Sequence, residues 1–418
     1  MVRMSQLAPV SSRERVATLD VLRGFALCGV LIANLYWIFS GRMSSLGPKP
    51  DGVIAHAADW IEDIFVSSKA QTMLTFLFGF GFAAQLLRAQ DRHEPVMAVY
   101  LRRLAVLFCV GALHVTLLWW GDVTWGYAIA GFGLLAFQRA SNRTRLIAAA
   151  ILIFVPPLVL WLPGVRAAVI SVFITRAEVG AAFKVFKDVL VSPHYADAVR
   201  GNVRQALVFS SVIYAFYFPW LVGRFLIGYV AGTQRWFERD GTDHLALFRR
   251  MLPWGLAGAV IGTAWNIFER IIDLAGYELT LAGHLTHEVL HEIGLLGLTA
   301  TYMAAIVLLM QRAAWRRVLL WVAPAGRMPL TTYIAQSAIC APLFYGWGLG
   351  WAGRIGGPAL LAIALAIFAI EVALCHLWLA RFRFGPLEWV WRTVVYLKPQ
   401  PMRIAPPAAP AIAAAPAD

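Results

Sequence analysis

The sequence predicts an all-α protein, a polytopic transmembrane helix bundle of about ten spans with both termini in the cytoplasm. Of its 418 residues, 60% are hydrophobic and only 14% are charged, whereas a soluble globular chain is roughly 45–50% apolar and about 25% charged. The apolar residues gather in runs of about 20, enough for a helix to cross a hydrocarbon core about 30 Å thick. This composition excludes a soluble enzyme and a disordered chain.

The apolar runs account for the predicted spans in order. An additional patch at 167–174 is too short to span and is a candidate eleventh element, either re-entrant or interfacial. The first run follows a basic N-terminus, but Asp20 and Arg23 interrupt it, so we expect a retained span and not a signal peptide. The runs lie at 19–40, 62–87, 104–120, 123–138, 145–163, 205–231, 252–272, 289–310, 328–347 and 357–380.

The net charge of +13 comes from arginines in short tracts, and every second connection between runs is basic. Because short cytoplasmic loops are enriched in Lys and Arg, this alternation places both termini inside and gives no reason to expect a nucleic-acid partner. The chain is divided into a cytoplasmic segment (1–18), an N-terminal transmembrane half with the candidate catalytic residues (19–231), a C-terminal transmembrane half (232–398) and a disordered Pro/Ala-rich tail (399–418).

Ionisable residues inside the spans are where function is expected, since they are costly in lipid unless paired. Asp20 and Arg23 lie three residues apart on one face of the first span. They form either a boundary ion pair or part of a ligand site. The glycines of the segment Phe76-Leu77-Phe78-Gly79-Phe80-Gly81-Phe82 favour close helix packing.

A histidine and an aspartate flank the short outer turn after the third run. His114 stands towards the outer end of that run, and Asp122 stands across the turn. A neutral imidazole oriented by a carboxylate is the arrangement that a general base needs. The alternative is a hydrogen-bonded bundle histidine beside an Asp122 that caps the next helix.

The segment His287-Glu288-Val289-Leu290-His291 contains the pattern H-E-x-x-H. On a helix its two histidines lie one turn apart, a spacing that suits zinc, with Glu288 as base. A zinc protease also needs a third protein ligand and a water position. The sequence near this segment has no recognisable partner motif, although Glu292, Glu371 or Asp273 could serve as the third ligand. We therefore expect no metal and keep a membrane-embedded zinc protease as an alternative.

Several blocks of this sequence stand out as a set. They are Leu19-Asp20-x-Leu22-Arg23-Gly24-Phe25 with Asn34, Thr75 to Phe82, Arg102-Arg103 with Gly111, His114, Gly121-Asp122 and Tyr127, Gly326-Arg327-Met328-Pro329-Leu330-Thr331-Thr332-Tyr333 with Gln336, and Arg383-Phe384-Gly385-Pro386-Leu387-Glu388-Trp389. Together these blocks resemble the YeiB-like bacterial inner-membrane proteins, whose C-terminal half is called domain of unknown function 418. That family is similar, through an Asp-x-x-Arg-Gly in its first span, to the transmembrane acyltransferase superfamily that includes heparan-alpha-glucosaminide N-acetyltransferase.

The resemblance implies an acyltransferase in the bacterial inner membrane. Its donor is a cytoplasmic acyl-CoA, acetyl-CoA in the first instance, and its acceptor is a hydroxyl or amine, glycan-like or small, at the far face. A transporter or lipid-binding membrane protein is a further alternative, and a homo-oligomer stays open.

Within this mechanism we assign His114 as base and Asp122 as its orienter, with His56 as a second candidate base. Guanidinium groups suit phosphate oxyanions, although the positive-inside rule alone also explains arginines at these places. The residues assigned to donor binding are Asp20, Arg23, Asn34, Arg102, Arg103, Tyr127, Arg327 and Gln336.

Overall fold

A computed structural model describes residues 16–44, 46–91, 96–165, 168 and 176–404. Throughout this part the chain is helical, and the β-type contact within it is an isolated bridge between Phe382 and Arg403. Three sequence predictions lie wholly or mostly outside the described residues. They are the short patch at 167–174 apart from Ala168, most of the N-terminal segment 1–18, and most of the tail 399–418.

The helices of the described part confirm the predicted all-α class. Each of the ten predicted apolar runs overlaps a helix. In chain order the helices are α1 (Ala17–Asn34), α2 (Gly52–Ile61), α3 (Lys69–Asp91), α4 (Val96–Leu117), α5 (Thr124–Gly133), α6 (Asn142–Leu160), α7 (Arg176–Val191), α8 (Tyr195–Thr233), α9 (Leu245–Leu274), α10 (Leu281–Met310), α11 (Ala313–Leu319), α12 (Ala323–Arg327), α13 (Pro329–Phe344), α14 (Gly357–Leu379) and α15 (Pro386–Tyr396).

Among the described residues, 7 helical stretches are long and apolar enough to cross a membrane. The protein is therefore an integral membrane protein, while the total of ten spans and the cytoplasmic termini stay predictions. The stretches are Ala17–Ser44, Gly52–Arg88, Met97–Leu117, Asn142–Leu160, Glu238–Leu274, Leu281–Met310 and Gly357–Leu379.

The predicted run 62–87 differs from the helix that the structure shows. Its first residues, Glu62–Val66, form a π-helical turn, and the chain then breaks before α3 begins at Lys69. Ser68 takes a left-handed conformation with φ of 64°. An α-helix cannot continue through such a residue, so the apolar run is divided between a short π-helical turn and α3.

Glycines bring the long helices into backbone contact. A Cβ at Gly79 of α3 would lie 1.9 Å from the Phe225 carbonyl oxygen of α8, and one at Gly228 would lie 1.9 Å from the Phe76 carbonyl oxygen. The predicted packing role is thus confirmed for Gly79. Gly81 differs, because a Cβ there would meet only the Arg103 guanidinium at 3.8 Å.

Helix α1 joins the two predicted halves of the chain into one bundle. It packs against α3 of the first half and against α12, α13 and α14 of the second. At its contact with α12, a Cβ on Gly326 would lie 1.8 Å from the Asp20 carbonyl oxygen. The core beside α1 contains Trp119, Tyr333 and Phe344 among other large side chains, and this core surrounds the pair described next.

Candidate active site

The structure brings His114 and Asp122 together in a buried pair. His114 lies in the last turn of α4, and its Nδ1 is 2.6 Å from Oδ2 of Asp122. The other carboxylate oxygen, Oδ1, accepts from the backbone N–H and hydroxyl of Thr124, each at 2.7 Å, and from the Trp125 N–H at 3.2 Å. The carboxylate is therefore fixed by the start of α5, and it fixes the imidazole in turn.

The second ring nitrogen of His114 points into the protein without a partner. The residue is only 3% exposed, and Nε2 has no hydrogen-bond partner among the described residues. Because a carboxylate accepts hydrogen bonds, we assign the proton of the neutral ring to Nδ1. Nε2 is then an unprotonated, buried hydrogen-bond acceptor. Buried polar atoms rarely lack a partner, so an unsatisfied one calls for a functional explanation.

Aromatic side chains enclose the pair. The Tyr333 ring of α13 meets the imidazole edge-on with centroids 5.3 Å apart, and the Trp119 ring lies 6.4 Å away. The close approach of α4 and α5 depends on Gly111, where a Cβ would lie 2.5 Å from the Trp125 backbone nitrogen. Gly111 lies one helical turn before His114, so this contact sets the height of the imidazole against α5.

Basic side chains gather at the opposite end of α4. Nη1 of Arg103 donates to Oε1 of Gln85 at 2.9 Å, and the Arg103 guanidinium lies 5.2 Å from the Trp391 ring centroid. Arg23 and Arg88 lie within electrostatic range of Arg103. Arg103 and His114 are eleven residues apart, which is about 16 Å along the helix axis.

Asp20 and Arg23 form the ion pair that was one of the two predicted alternatives. Nη1 of Arg23 donates to Oδ1 of Asp20 at 3.2 Å, and Asp20 is buried while Arg23 keeps 28% of its side chain exposed. Gly326 packs on the Asp20 backbone and Arg327 follows it, so Asp20, Arg23 and Arg327 all belong to the crossing of α1 and α12. Arg23 also lies within electrostatic range of Arg103.

The remaining predicted donor-binding residues lie at separate places in the bundle. Arg102 is half-buried on α4, and Asn34 ends α1 where the helix widens into the π-helical turn Leu35–Phe39. Tyr127 is buried among aromatic rings of α3 and α8. Gln336 is buried on α13, and its amide donates to the Leu27 carbonyl at 3.3 Å.

His56 is exposed on α2 and lies within electrostatic range of Asp59. That carboxylate is held by both guanidinium nitrogens of Arg42, at 2.8 and 2.9 Å, and by the Tyr36 hydroxyl. An exposed imidazole lacks the enclosure that surrounds His114. The geometry therefore favours His114 over His56 as the base.

The H-E-x-x-H segment lies within α10, and its side chains bind other residues. His287 Nδ1 lies 2.5 Å from Oε2 of Glu269, and Oε1 of Glu288 accepts from the Trp161 indole N–H at 2.8 Å. In the described part of the chain, no three His, Cys, Asp or Glu side chains are grouped so that they could hold a metal ion. The zinc-protease alternative gains no support from these contacts.

Two buried polar contacts were not predicted from the sequence. Oε2 of Glu371 accepts from the Gln336 amide at 3.2 Å inside the bundle. Arg224 donates to Glu292 at 2.7 Å, and the Trp220 indole N–H donates to the same carboxylate at 2.8 Å. In each case the sequence signal was an ionisable residue inside an apolar run. The sequence does not identify the partner of that residue, because the partner lies on another helix.

The fold and the site together define a polytopic all-α membrane protein with an enclosed imidazole–carboxylate pair at one end of a helix and arginines at the other. Residues 231–398 match the family model described as "Protein of unknown function (DUF418)". The chain is 31% identical over 414 residues to the uncharacterized protein YxaH of Bacillus subtilis, covering 96% of this chain and 98% of that protein. It therefore belongs to the YeiB-like DUF418 family, as its motifs predicted.

Two further relatives extend over nearly the whole chain. An uncharacterized 39.9 kDa protein from the amylase 3' region of Bacillus acidopullulyticus is 27% identical, over 94% of this chain and 97% of its own length. The uncharacterized protein YeiB of Escherichia coli is 24% identical, over 91% and 96%. No solved structure matches the chain.

Proposed function

We propose that the protein is an acyl-CoA-dependent acyltransferase of the bacterial inner membrane. It moves an acetyl or other acyl group from cytoplasmic acyl-CoA to a hydroxyl or amine, on a glycan-like or small acceptor, at the far face. The observation that carries this proposal is the enclosed His114–Asp122 pair, in which Nε2 of His114 is buried and has no hydrogen-bond partner in the described part of the chain. A general base must be neutral, oriented and within reach of the proton that it abstracts.

In this mechanism Nε2 of His114 takes the proton of the acceptor hydroxyl or amine while that atom attacks the thioester carbonyl. The new C–O or C–N bond forms, the C–S bond breaks, and the imidazolium returns its proton to the departing CoA thiolate. Asp122 holds the ring in one tautomer and stabilises the imidazolium. The surrounding aromatic core keeps water from the acyl carbon.

The arginines at the inner end of α4 support the binding of the CoA phosphates. Arg23 and Arg88 each lie within electrostatic range of Arg103, on the side that the charge pattern assigns to the cytoplasm. Guanidinium forks bind phosphate oxygens in a bidentate manner. Arg103 and His114 are separated by about 16 Å along α4. An extended acyl-CoA whose phosphates bind near Arg103 would therefore direct its thioester towards His114.

The test is transfer of radiolabelled acetyl from acetyl-CoA into non-CoA products in membrane vesicles that contain the full chain. His114→Asn keeps a donor to Asp122 and removes Nε2, so transfer should fall by about 100-fold or more. Acetyl-CoA binding to the purified variant, measured by calorimetry, should stay near the wild-type value. The matched control is His194→Asn, because His194 is an exposed histidine.

Full transfer by His114→Asn would overturn the assignment of the base. If wild-type protein shows neither acetyl-CoA binding nor transfer, the enzyme proposal itself fails and a transporter or lipid-binding role takes its place. Chelators should leave the rate unchanged, whereas a zinc enzyme would lose activity and recover it on addition of zinc.

A further inference from the structure

A polar cavity lies away from the proposed acyl-transfer site, between α2, α3, α9 and α10. Its volume is about 40 Å³, room for a few water-sized groups. Gly262 and Gly294 form its close helix contact, since a Cβ on Gly262 would lie 2.5 Å from the Gly294 Cα. The polar side chains in its lining are Asp63, Lys69, Thr263, Asn266, Arg270 and His291.

Two atoms of this lining are buried and unsatisfied. Neither Oδ1 of Asn266 nor Nδ1 of His291 has a hydrogen-bond partner among the described residues. An orphaned polar atom in an apolar bundle is costly, so two of them facing one cavity point to a polar occupant. Both side chains can act as donors here, because rotation of the Asn266 amide exchanges its oxygen for its NH2 group and Nδ1 of His291 donates in the tautomer that carries the proton there.

The charges around the cavity favour a negative occupant. The Lys69 ammonium donates to the Asp63 carbonyl at 2.5 Å and has two further N–H groups to offer. The Arg270 guanidinium lies over the Trp60 ring, 4.8 Å from its centroid. Because the face of the guanidinium stacks on the indole, the N–H donors at its edge stay free to bind another group.

The nearby carboxylates are already engaged with other groups. Glu62 accepts from the Trp37 indole at 2.5 Å, Glu269 lies 2.5 Å from His287, and Glu292 is paired with Arg224 at 2.7 Å. Asp63 is the acidic member of the lining and is exposed. Two cations and two neutral donors therefore face a space with a single carboxylate.

We propose that this cavity binds a small oxyanion, a carboxylate or phosphate group, either as a free ion or as the head of an anionic lipid. Lys69 and Arg270 supply the charge, and Asn266 and His291 supply the neutral hydrogen bonds. Because such bonds to a charged group are strong and directional, the site discriminates an oxyanion from chloride.

The test uses the full-length protein in a neutral detergent, titrated with inorganic phosphate and separately with acetate. Binding is followed by calorimetry and by the rise of the unfolding midpoint. Lys69→Met should weaken binding by at least about tenfold, while Lys49→Met should leave it unchanged because Lys49 is exposed on a loop. Arg270→Met and His291→Gln give the same comparison if Lys69→Met does not fold.

A second arm measures lipids that co-purify with the protein. Retention of phosphatidylglycerol over phosphatidylcholine that is lost in Lys69→Met, without binding of phosphate or acetate, assigns the site to a lipid head. Saturable phosphate or acetate binding to delipidated protein that is lost in Lys69→Met assigns it to a free anion. The proposal is overturned if neither arm responds to Lys69→Met, or if chloride binds as well as phosphate.

Discussion

The two carboxylate oxygens of Asp122 bind different partners. Oδ1 receives the first N–H groups of α5, and Oδ2 receives Nδ1 of His114. Asp122 thus caps α5 and orients the His114 imidazole at the same time. The two interpretations drawn from the sequence, helix cap and orienter, are therefore compatible. The residue that fixes the tautomer of the imidazole is itself fixed by backbone, which has little freedom to move.

Asp122→Asn separates these two interactions. The amide oxygen can still accept from Thr124, but the amide NH2 opposes the Nδ1 proton, so the imidazole proton is favoured on Nε2 and the base is lost. We expect transfer to fall by about 100-fold or more, with the protein still folded. Asp51→Asn is the control, because Asp51 is exposed and its side chain caps no helix.

The rate of acetyl transfer and the thermal midpoint of each variant check this prediction. A normal rate in Asp122→Asn would show that the tautomer of His114 does not matter to the reaction. A large fall in the thermal midpoint of Asp122→Asn, together with loss of transfer, would instead assign the carboxylate to folding alone.

Arg224 and Glu292 form a buried ion pair whose loss should be asymmetric. Their side chains are 1% and 9% exposed, so Arg224→Met leaves Glu292 charged in an apolar bundle. We expect this single change to lower the free energy of unfolding by about 3–5 kcal/mol. Arg224→Met combined with Glu292→Gln should recover a large part of that loss, because Gln still accepts from Trp220.

A double-mutant cycle of denaturant unfolding in detergent measures the coupling. Independent residues would give changes that add within about 0.5 kcal/mol. Additivity at that level would show that the pair contributes no interaction of its own.

Among the helices, the crossing of α3 and α8 depends most directly on small residues. Gly228 and Gly232 lie four apart on α8 and face Phe76, Phe80 and Ala83 of α3. Small residues at this spacing let two backbones touch, which is how helices gain packing energy in lipid. The same device recurs where Gly262 of α9 meets Gly294 of α10.

Gly228→Ala should therefore destabilise the bundle by about 1–3 kcal/mol or more, because the new Cβ meets a backbone oxygen that cannot rotate away. Gly356→Ala is the matched control, since no atom lies within 4 Å of its Cβ position. Thermal unfolding and the yield of monodisperse protein are the measurements. Equal midpoints for the two variants would contradict the packing argument.

Helices were the most predictable level of the structure. Each apolar run became a helix because, in lipid, a chain must satisfy its own backbone hydrogen bonds. The break inside the run 62–87 was not predicted, because hydropathy does not register the left-handed Ser68. The H-E-x-x-H segment lies near the start of α10, where the Thr280 hydroxyl accepts from the Gly283 N–H and caps the helix.

Within the site, sequence separation decided what could be predicted. His114 and Asp122 are eight residues apart, so one short turn almost dictates their contact. Tyr333 meets His114 across more than two hundred residues, and Glu371 meets Gln336 through two different spans. Such pairs follow from how the helices pack, which composition and periodicity do not specify.

For the whole molecule, polar contacts gather the predicted inner loops at one face. The Thr18 N–H donates to Asp240 at 2.9 Å, and Arg316 donates to the same carboxylate at 3.0 Å. The start of α1, the loop before α9 and the helix after α10 therefore lie at one face of the bundle. The charge pattern predicts that this face is cytoplasmic.

Reporter fusions test that orientation. A fluorescent protein joined after residue 404 should be bright, and alkaline phosphatase at the same place should be inactive, because both termini are predicted inside. The same reporters inserted beside Lys49, in the first outer loop, should give the opposite pattern. Active phosphatase at the C-terminus would require an odd number of spans or an outer N-terminus.

The shared carboxylate of Asp122 also bears on the protein's biogenesis. While the chain is still entering the membrane and α5 has not formed, no backbone N–H groups hold Asp122 in place. His114 then has no carboxylate held in place to fix its tautomer. Under the proposed function, competence would arise only when α4 and α5 close on each other, so that assembly itself would serve as the enzyme's activation step.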